Sequence, residues 1–120
     1  MKSLAEAKAI YEKLGLSVSP EETVTQEQVR LVMVPVGESR LELLEATSEN
    51  STIAKFIAKR GEGLHHVGYR VADCAAALAR VKAEGHRVID EQPRPGSRGT
   101  TVAFLHPKSA FGTLIELVQE

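Results

Sequence analysis

Three ionisable residues interrupt apolar, strand-like sequence: Glu42 within LEL, His66 within HHVG and Glu116 within LIEL. Glu and His are unusual in apolar strands, so each of these positions needs a reason. Two carboxylates and a neutral imidazole supply mixed oxygen and nitrogen donors, a set suited to a divalent cation such as Zn, Co, Mn or Fe. The ligands would come from separate strands rather than from one HExxH helix, so spacing alone says little. A solvent-facing place on the open side of a half-buried antiparallel sheet accounts for a lone strand Glu just as well. As neighbours on a strand, His65 and His66 are expected on opposite faces, which leaves at most one as a ligand. Two loops add cations, with Arg94 and Arg98 in PRPGSRG and His106, Lys108 and Ser109 in HPKSAFG. These could meet phosphates or be ordinary solvated loop charge.

An internal repeat ties the two carboxylates together. Residues 3–18, SLAEAKAIYEKLGLSV, return in pattern at 73–88, DCAAALARVKAEGHRV, with Gly15 on Gly85 and Val18 on Val88. The stretch 29–44 resembles 101–118, the second copy carrying a longer turn, and Glu42 then corresponds to Glu116. The pair is expected at sites related by an approximate twofold, where both could converge on one centre. By contrast LHHVGYRV at 64–71 has no counterpart, because its match would precede Met1. The first repeat is expected to lack its opening strand, and with it the equivalent of His66.

The elements that must position these residues can be placed from capping and periodicity. Ser3 is set to cap a helix running to about Leu14, with Leu4, Ala7, Ile10, Tyr11 and Leu14 at helical spacing and Gly15 as its stop. Residues 17–28 are polar, contain Pro20 and a Glu pair, and read as a loop. A hairpin follows, 29–34 and 40–44 around Pro35-Val36-Gly37-Glu38-Ser39, with Glu42 on the face opposite Leu41 and Leu43. Ser51 and Gly61 bound a helix from about Thr52 to Lys59. The second copy reads as a strand at 64–71, a helix begun by Asp73, a short strand at 86–89, a Pro- and Gly-rich loop, and strands at 100–105 and 113–118. One copy is β-α-β-β-β and the other α-β-β-β. The fold class is α+β, with paired modules forming a curved half-barrel around a cleft; a ferredoxin-like sandwich also fits the pattern. The boundaries are 1–50 for the first module, 51–63 for a linker helix and 64–120 for the second, all within one domain.

Composition narrows the partners. With 120 residues, 15 Lys and Arg against 16 Asp and Glu and no basic block, the chain is one ordinary domain and nucleic acid is not an expected partner. No apolar run approaches the roughly 20 residues of a membrane span, and the start has no signal-peptide pattern. A cytoplasmic location is expected, in agreement with a single cysteine, Cys74, placed to be buried at the head of an Ala-rich helix.

The segments IAKFIAKRGEGLHHVGYRV, IDEQPRPGSRG and VAFLHPKSAFGTLIELVQ closely resemble the methylmalonyl-CoA epimerase family of the vicinal oxygen chelate superfamily. The resemblance covers nearly the whole chain. It implies paired β-α-β-β-β modules, a divalent metal such as Co, Mn or Zn in the cleft, and interconversion of the two C2 epimers of methylmalonyl-CoA through a metal-stabilised enolate. Carried over by position, it implies His66, Glu42 and Glu116 as metal ligands, Glu116 and Glu42 as proton-transfer groups, and Lys108 and Arg98 as contacts for the CoA phosphates. The family's further His ligand lies on the first strand, which this chain is expected to lack, so reduced activity is implied. Some relatives carry a proposed catalytic glutamate at the position of Arg30, a departure that leaves the second base open. A homodimer is expected, since open sheets and a missing edge strand leave surface to cover. Two other readings stay open: a non-catalytic binding module on the same fold, and another metal enzyme of the superfamily, a glyoxalase-like isomerase or an extradiol dioxygenase.

Overall fold

The computed structural model describes all of residues 1–120, which divide into two units, Met1–Leu64 and His65–Glu120, each with its own open sheet. In the first unit, α1 (Leu4–Lys13) begins at Ser3, whose hydroxyl accepts from the Glu6 N–H, and ends before Gly15 at φ 85°. Three antiparallel strands follow, β1 (Glu22–Val24), β2 (Val29–Val36) and β3 (Ser39–Ala46), in the order β1-β2-β3. The β2–β3 turn places Gly37 at φ 61°, a left-handed position that favours glycine. Helix α2 (Thr52–Arg60) starts at Ser51, whose hydroxyl accepts from the Ala54 N–H. One face of the sheet packs on α1 through Leu4, Val32, Val34 and Leu43. Leu31 and Met33, which point the other way along β2, are buried too. That explains why β2 is an apolar run rather than an alternation.

The second unit contains β4 (His66–Arg70), α3 (Cys74–Ala83), β5 (Arg94–Pro95), β6 (Thr101–Leu105) and β7 (Leu114–Gln119). Its sheet runs β4-β7-β6-β5, with β4 parallel to β7 and the other pairs antiparallel. Asp73 caps α3 by accepting from the Ala76 N–H. Cys74, Leu78, Ala103, Leu105 and Leu117 form the core between α3 and one face of the sheet. The Cys74 thiol is free and buried, and its pKa is raised, first by burial and then by the negative charges of Asp73, Asp90 and Glu116.

The repeat holds down to single hydrogen bonds. Helices α1 and α3 span matching residues, and Gly15 and Gly85 sit at φ 85° and 87°. Leu16 N–H donates to Tyr11 O and His86 N–H to Val81 O, each at 3.2 Å. Beyond the helices, Ser19 N–H donates to Met33 O and Ile89 N–H to Phe104 O, each at 2.9 Å. Met33 and Phe104 are the residues paired across the ladder with Glu42 and Glu116.

Three expectations shift. The stretch 17–28 is not all loop, because β1 forms inside it and pairs Glu22 with Leu31. The strand expected at 86–89 is reduced to a single bridge from Val88 to Leu105; the strand that extends the sheet on that side is Arg94–Pro95. A two-residue strand containing proline leaves almost no periodicity to read. His65 precedes β4, so strand alternation does not govern it, and its ring meets that of His66 edge to face.

Candidate active site

The face of the second sheet away from α3 brings together His66, Phe104 and Glu116. Register along β4 and β7 pairs His66 with Leu114 and Gly68 with Glu116, which places His66 and Glu116 on the same side. His66 Nε2 lies 3.4 Å from Glu116 Oε1, and the two side chains are only 12% and 17% exposed. Gly68 makes room for the carboxylate, since a Cβ there would lie 3.2 Å from Glu116 Oε1. The floor is Phe104, cross-strand partner of Glu116, whose ring meets His66 edge to face at 5.5 Å.

Neighbouring groups fix the geometry. His65 Nδ1 lies 3.0 Å from His66 Nδ1, so one ring nitrogen of His66 is engaged while the other faces Glu116. Arg94 lays its guanidinium over Phe104, 5.3 Å from the ring centroid, and donates from Nε to Asp90 Oδ1 at 3.0 Å. Asp90 in turn accepts from Phe104 N–H through Oδ2 at 2.8 Å. Sequence reading sets Arg94 among the loop cations and gives Asp90 no role; the signal available is its place two residues past the repeated Val88.

Glu42 occupies the corresponding place in the first unit. It is half-buried, pairs with Met33, and shares its face with Leu31 and Leu44. Arg30 lies on the other side of β2, the side of Val32 and Val34, where its guanidinium pairs with Glu45 at 2.5 Å. The two candidate phosphate contacts do not gather at one point. Arg98 is exposed in the turn before β6, at φ 54°, and Lys108 is exposed in the turn after it. A five-residue strand separates them by about 17 Å of backbone. In the Lys108 turn, His106 Nδ1 accepts from Lys108 N–H, and the charges of Arg87 and Lys108 add to desolvation in lowering the His106 pKa.

The α+β fold and this site define a class. The family model of the Glyoxalase/Bleomycin resistance protein/Dioxygenase superfamily matches residues 1–104. An ethylmalonyl-CoA/methylmalonyl-CoA epimerase from Cereibacter sphaeroides is 37% identical over 88% of this chain and 81% of its own length. The mitochondrial methylmalonyl-CoA epimerase of Homo sapiens is 36% identical over 97% of this chain and 67% of its own. A solved methylmalonyl-CoA epimerase in complex with methylmalonyl-CoA and NH4+ superposes with a TM-score of 0.94, at 36% identity, covering 99% of this chain and 88% of that one. The chain belongs to the methylmalonyl-CoA epimerase family of this superfamily. No helix in it is long and apolar enough to cross a membrane.

Proposed function

We propose that the chain interconverts the two C2 epimers of methylmalonyl-CoA, with His66, Glu116 and Glu42 holding a divalent metal ion. The observation that carries this reading is the enclosed His66–Glu116 pair, in a chain whose relatives are epimerases of that thioester. When His65 Nδ1 accepts from His66 Nδ1–H, the lone pair of His66 Nε2 faces the carboxylate. Two electron-rich atoms at 3.4 Å suit a shared cation, since ligands with bonds of about 2.0–2.2 Å stand roughly 3.0–3.5 Å apart. Imidazole with carboxylate is also a donor set for Zn, Co, Mn or Fe. Glu42 joins the set on the strength of the repeat, which gives it the same ladder position as Glu116.

The C2 proton of a malonyl thioester is acidified by two carbonyl groups. A carboxylate at hydrogen-bond distance takes it, and a carboxylic acid on the other face returns one. Glu116 serves as one proton-transfer group, held by Gly68, Phe104 and His66. His66 and Glu116, with Glu42, would hold the divalent ion, and when bound it would supply Lewis-acid charge. Phe104 and Val102, on the Glu116 face, keep the floor of the site apolar, which strengthens electrostatic effects there. Lys108 and Arg98, one at each end of β6, are offered to different phosphates of the CoA moiety rather than to one. A homodimer in the cytoplasm completes the reading, supported by the unpaired outer edges of β3 and β4 in their sheets and by the free thiol of Cys74.

Calorimetric titration with Co2+ tests the ligand set. The wild type is expected to bind one ion and His66→Ala to lose at least tenfold in affinity, with epimerisation falling in parallel. Wild-type affinity and full turnover in His66→Ala would refute it.

A further inference from the structure

Phe104 lies against both members of the His66–Glu116 pair, so whatever holds Phe104 holds the pair. The backbone of Phe104 points away from β7. Its carbonyl accepts from Ile89 N–H at 2.9 Å and from Asp90 N–H at 3.3 Å, and its own N–H donates to Asp90 Oδ2 at 2.8 Å. Phe104 and Glu116 therefore form a non-hydrogen-bonded pair, the kind in which facing side chains stand closest. On that outer side of β6 the two-residue strand β5 reaches only Thr101 and Val102, and the one further bridge joins Val88 to Leu105. Asp90 thus stands where a ladder partner of Phe104 would be.

The repeat separates what this clamp needs from what Asp90 adds. In the first unit Ser19 makes the same two bonds to Met33, the partner of Glu42: its N–H donates to Met33 O at 2.9 Å, and its Oγ accepts from Met33 N–H at 2.8 Å. A neutral hydroxyl is enough for that. The Asp90 side chain is only 15% exposed, and covering a charge so far costs free energy that a hydroxyl avoids. Its second oxygen has a separate task, since Oδ1 accepts from Arg94 Nε at 3.0 Å while the Arg94 guanidinium lies over the Phe104 ring, 5.3 Å from the centroid. The same ring meets His66 edge to face at 5.5 Å. One carboxylate grips Phe104 twice, by its backbone and, through Arg94, by its ring.

We propose that Asp90 is a positioning residue of this site: it fixes the backbone and ring of Phe104, and through them the 3.4 Å relation between His66 Nε2 and Glu116 Oε1. The consequence for turnover rests on the epimerase reading above. Asp90 takes no proton and acts only through Phe104 and Arg94.

The test compares wild type, Asp90→Ala and Asp90→Asn by steady-state epimerisation of methylmalonyl-CoA and by NMR of the substrate-free protein. In Asp90→Ala, kcat is expected to fall roughly 10- to 100-fold, since a misplacement of about 1 Å can cost 100-fold. KM stays within about threefold, the pattern for a loss felt in the transition state alone. Asp90→Asn keeps an oxygen for Phe104 N–H but sets its amide N–H against Arg94 Nε–H, so it is expected to recover kcat to roughly three- to tenfold below wild type. Without substrate, the Phe104 amide is protected from exchange in wild type and Asp90→Asn and loses protection in Asp90→Ala, where the His66 ring protons also shift. Asp90→Ala with wild-type kcat, or with a lowered kcat but unmoved His66 ring protons, overturns the proposal. Should Asp90→Ala fail to fold, Asp90→Asn with wild-type kcat and unmoved His66 ring protons overturns it. A folded wild type without turnover overturns the epimerase reading instead, and the NMR comparison still decides whether Asp90 positions the pair.

Discussion

Gly68 faces Glu116 across the parallel β4–β7 pair so closely that a Cβ on residue 68 would lie 3.2 Å from the Glu116 carboxylate oxygen. The glycine is needed for space rather than for backbone freedom, since it is not among the glycines with positive φ. Gly68→Ala is therefore expected to fold normally and to push the carboxylate by a few tenths of an ångström. Misplacement on that scale in a proton-transfer group is expected to lower kcat roughly tenfold. A thermal melt beside steady-state kinetics checks both halves.

Gly96 is tight for a different reason. A Cβ there would lie 2.5 Å from Thr100 Oγ1 and 2.7 Å from Val102 Cγ1, where neither strand nor turn can yield cheaply. Gly96→Ala is expected to cost about 1–3 kcal/mol by overpacking. Chemical denaturation will show the loss, while Gly63→Ala, with nothing within 4 Å of its Cβ, serves as the mild control.

The two matched helix caps should weigh similarly. Ser3 and Asp73 each accept the N–H three residues on, at 3.2 and 3.1 Å, and both bonds are exposed. Replacing either by Ala is expected to cost about 1 kcal/mol. Urea midpoints of the two variants provide the measurement.

Cys74 carries a pH dependence whose sign is fixed by its burial. Its pKa is raised in the fold above the thiol's ordinary 9.0, so the unfolded chain gives up this proton first. The contribution to stability is complete below that value and is lost as pH rises above it. Melting temperature is expected to fall more steeply above about pH 9 in wild type than in Cys74→Ala. Native protein at pH 7–8 should also react with thiol reagents far more slowly than unfolded protein, because the buried group is protonated and covered.

How far the sequence reached depends on how much side-chain pattern each element carries. Helices α1, α2 and α3 were legible to within a residue or two, because Ser3, Ser51 and Asp73 announce their starts and Gly15, Gly61 and Gly85 their ends. The Glu42–Glu116 correspondence came from the repeat and matches the ladder register. Strand β1 was not legible, because Glu22-Thr23-Val24 has one apolar residue and owes its place to pairing with β2. The resemblance leaves the second base open, because this chain carries Arg30 where some relatives have a glutamate, and register turns position 30 toward α1. The loop sequences show that Arg98 and Lys108 are basic but not how far apart they stand, which the length of β6 decides.

Deuterium uptake at C2 of methylmalonyl-CoA in heavy water, followed by NMR with Co2+ and then with excess chelator, tests the central claim most directly. The account predicts uptake far above the uncatalysed background, abolished by chelator and restored by Co2+, and lost in Glu116→Gln. Background-level uptake by the folded, Co2+-supplied chain, or uptake in Glu116→Gln equal to wild type, would contradict it.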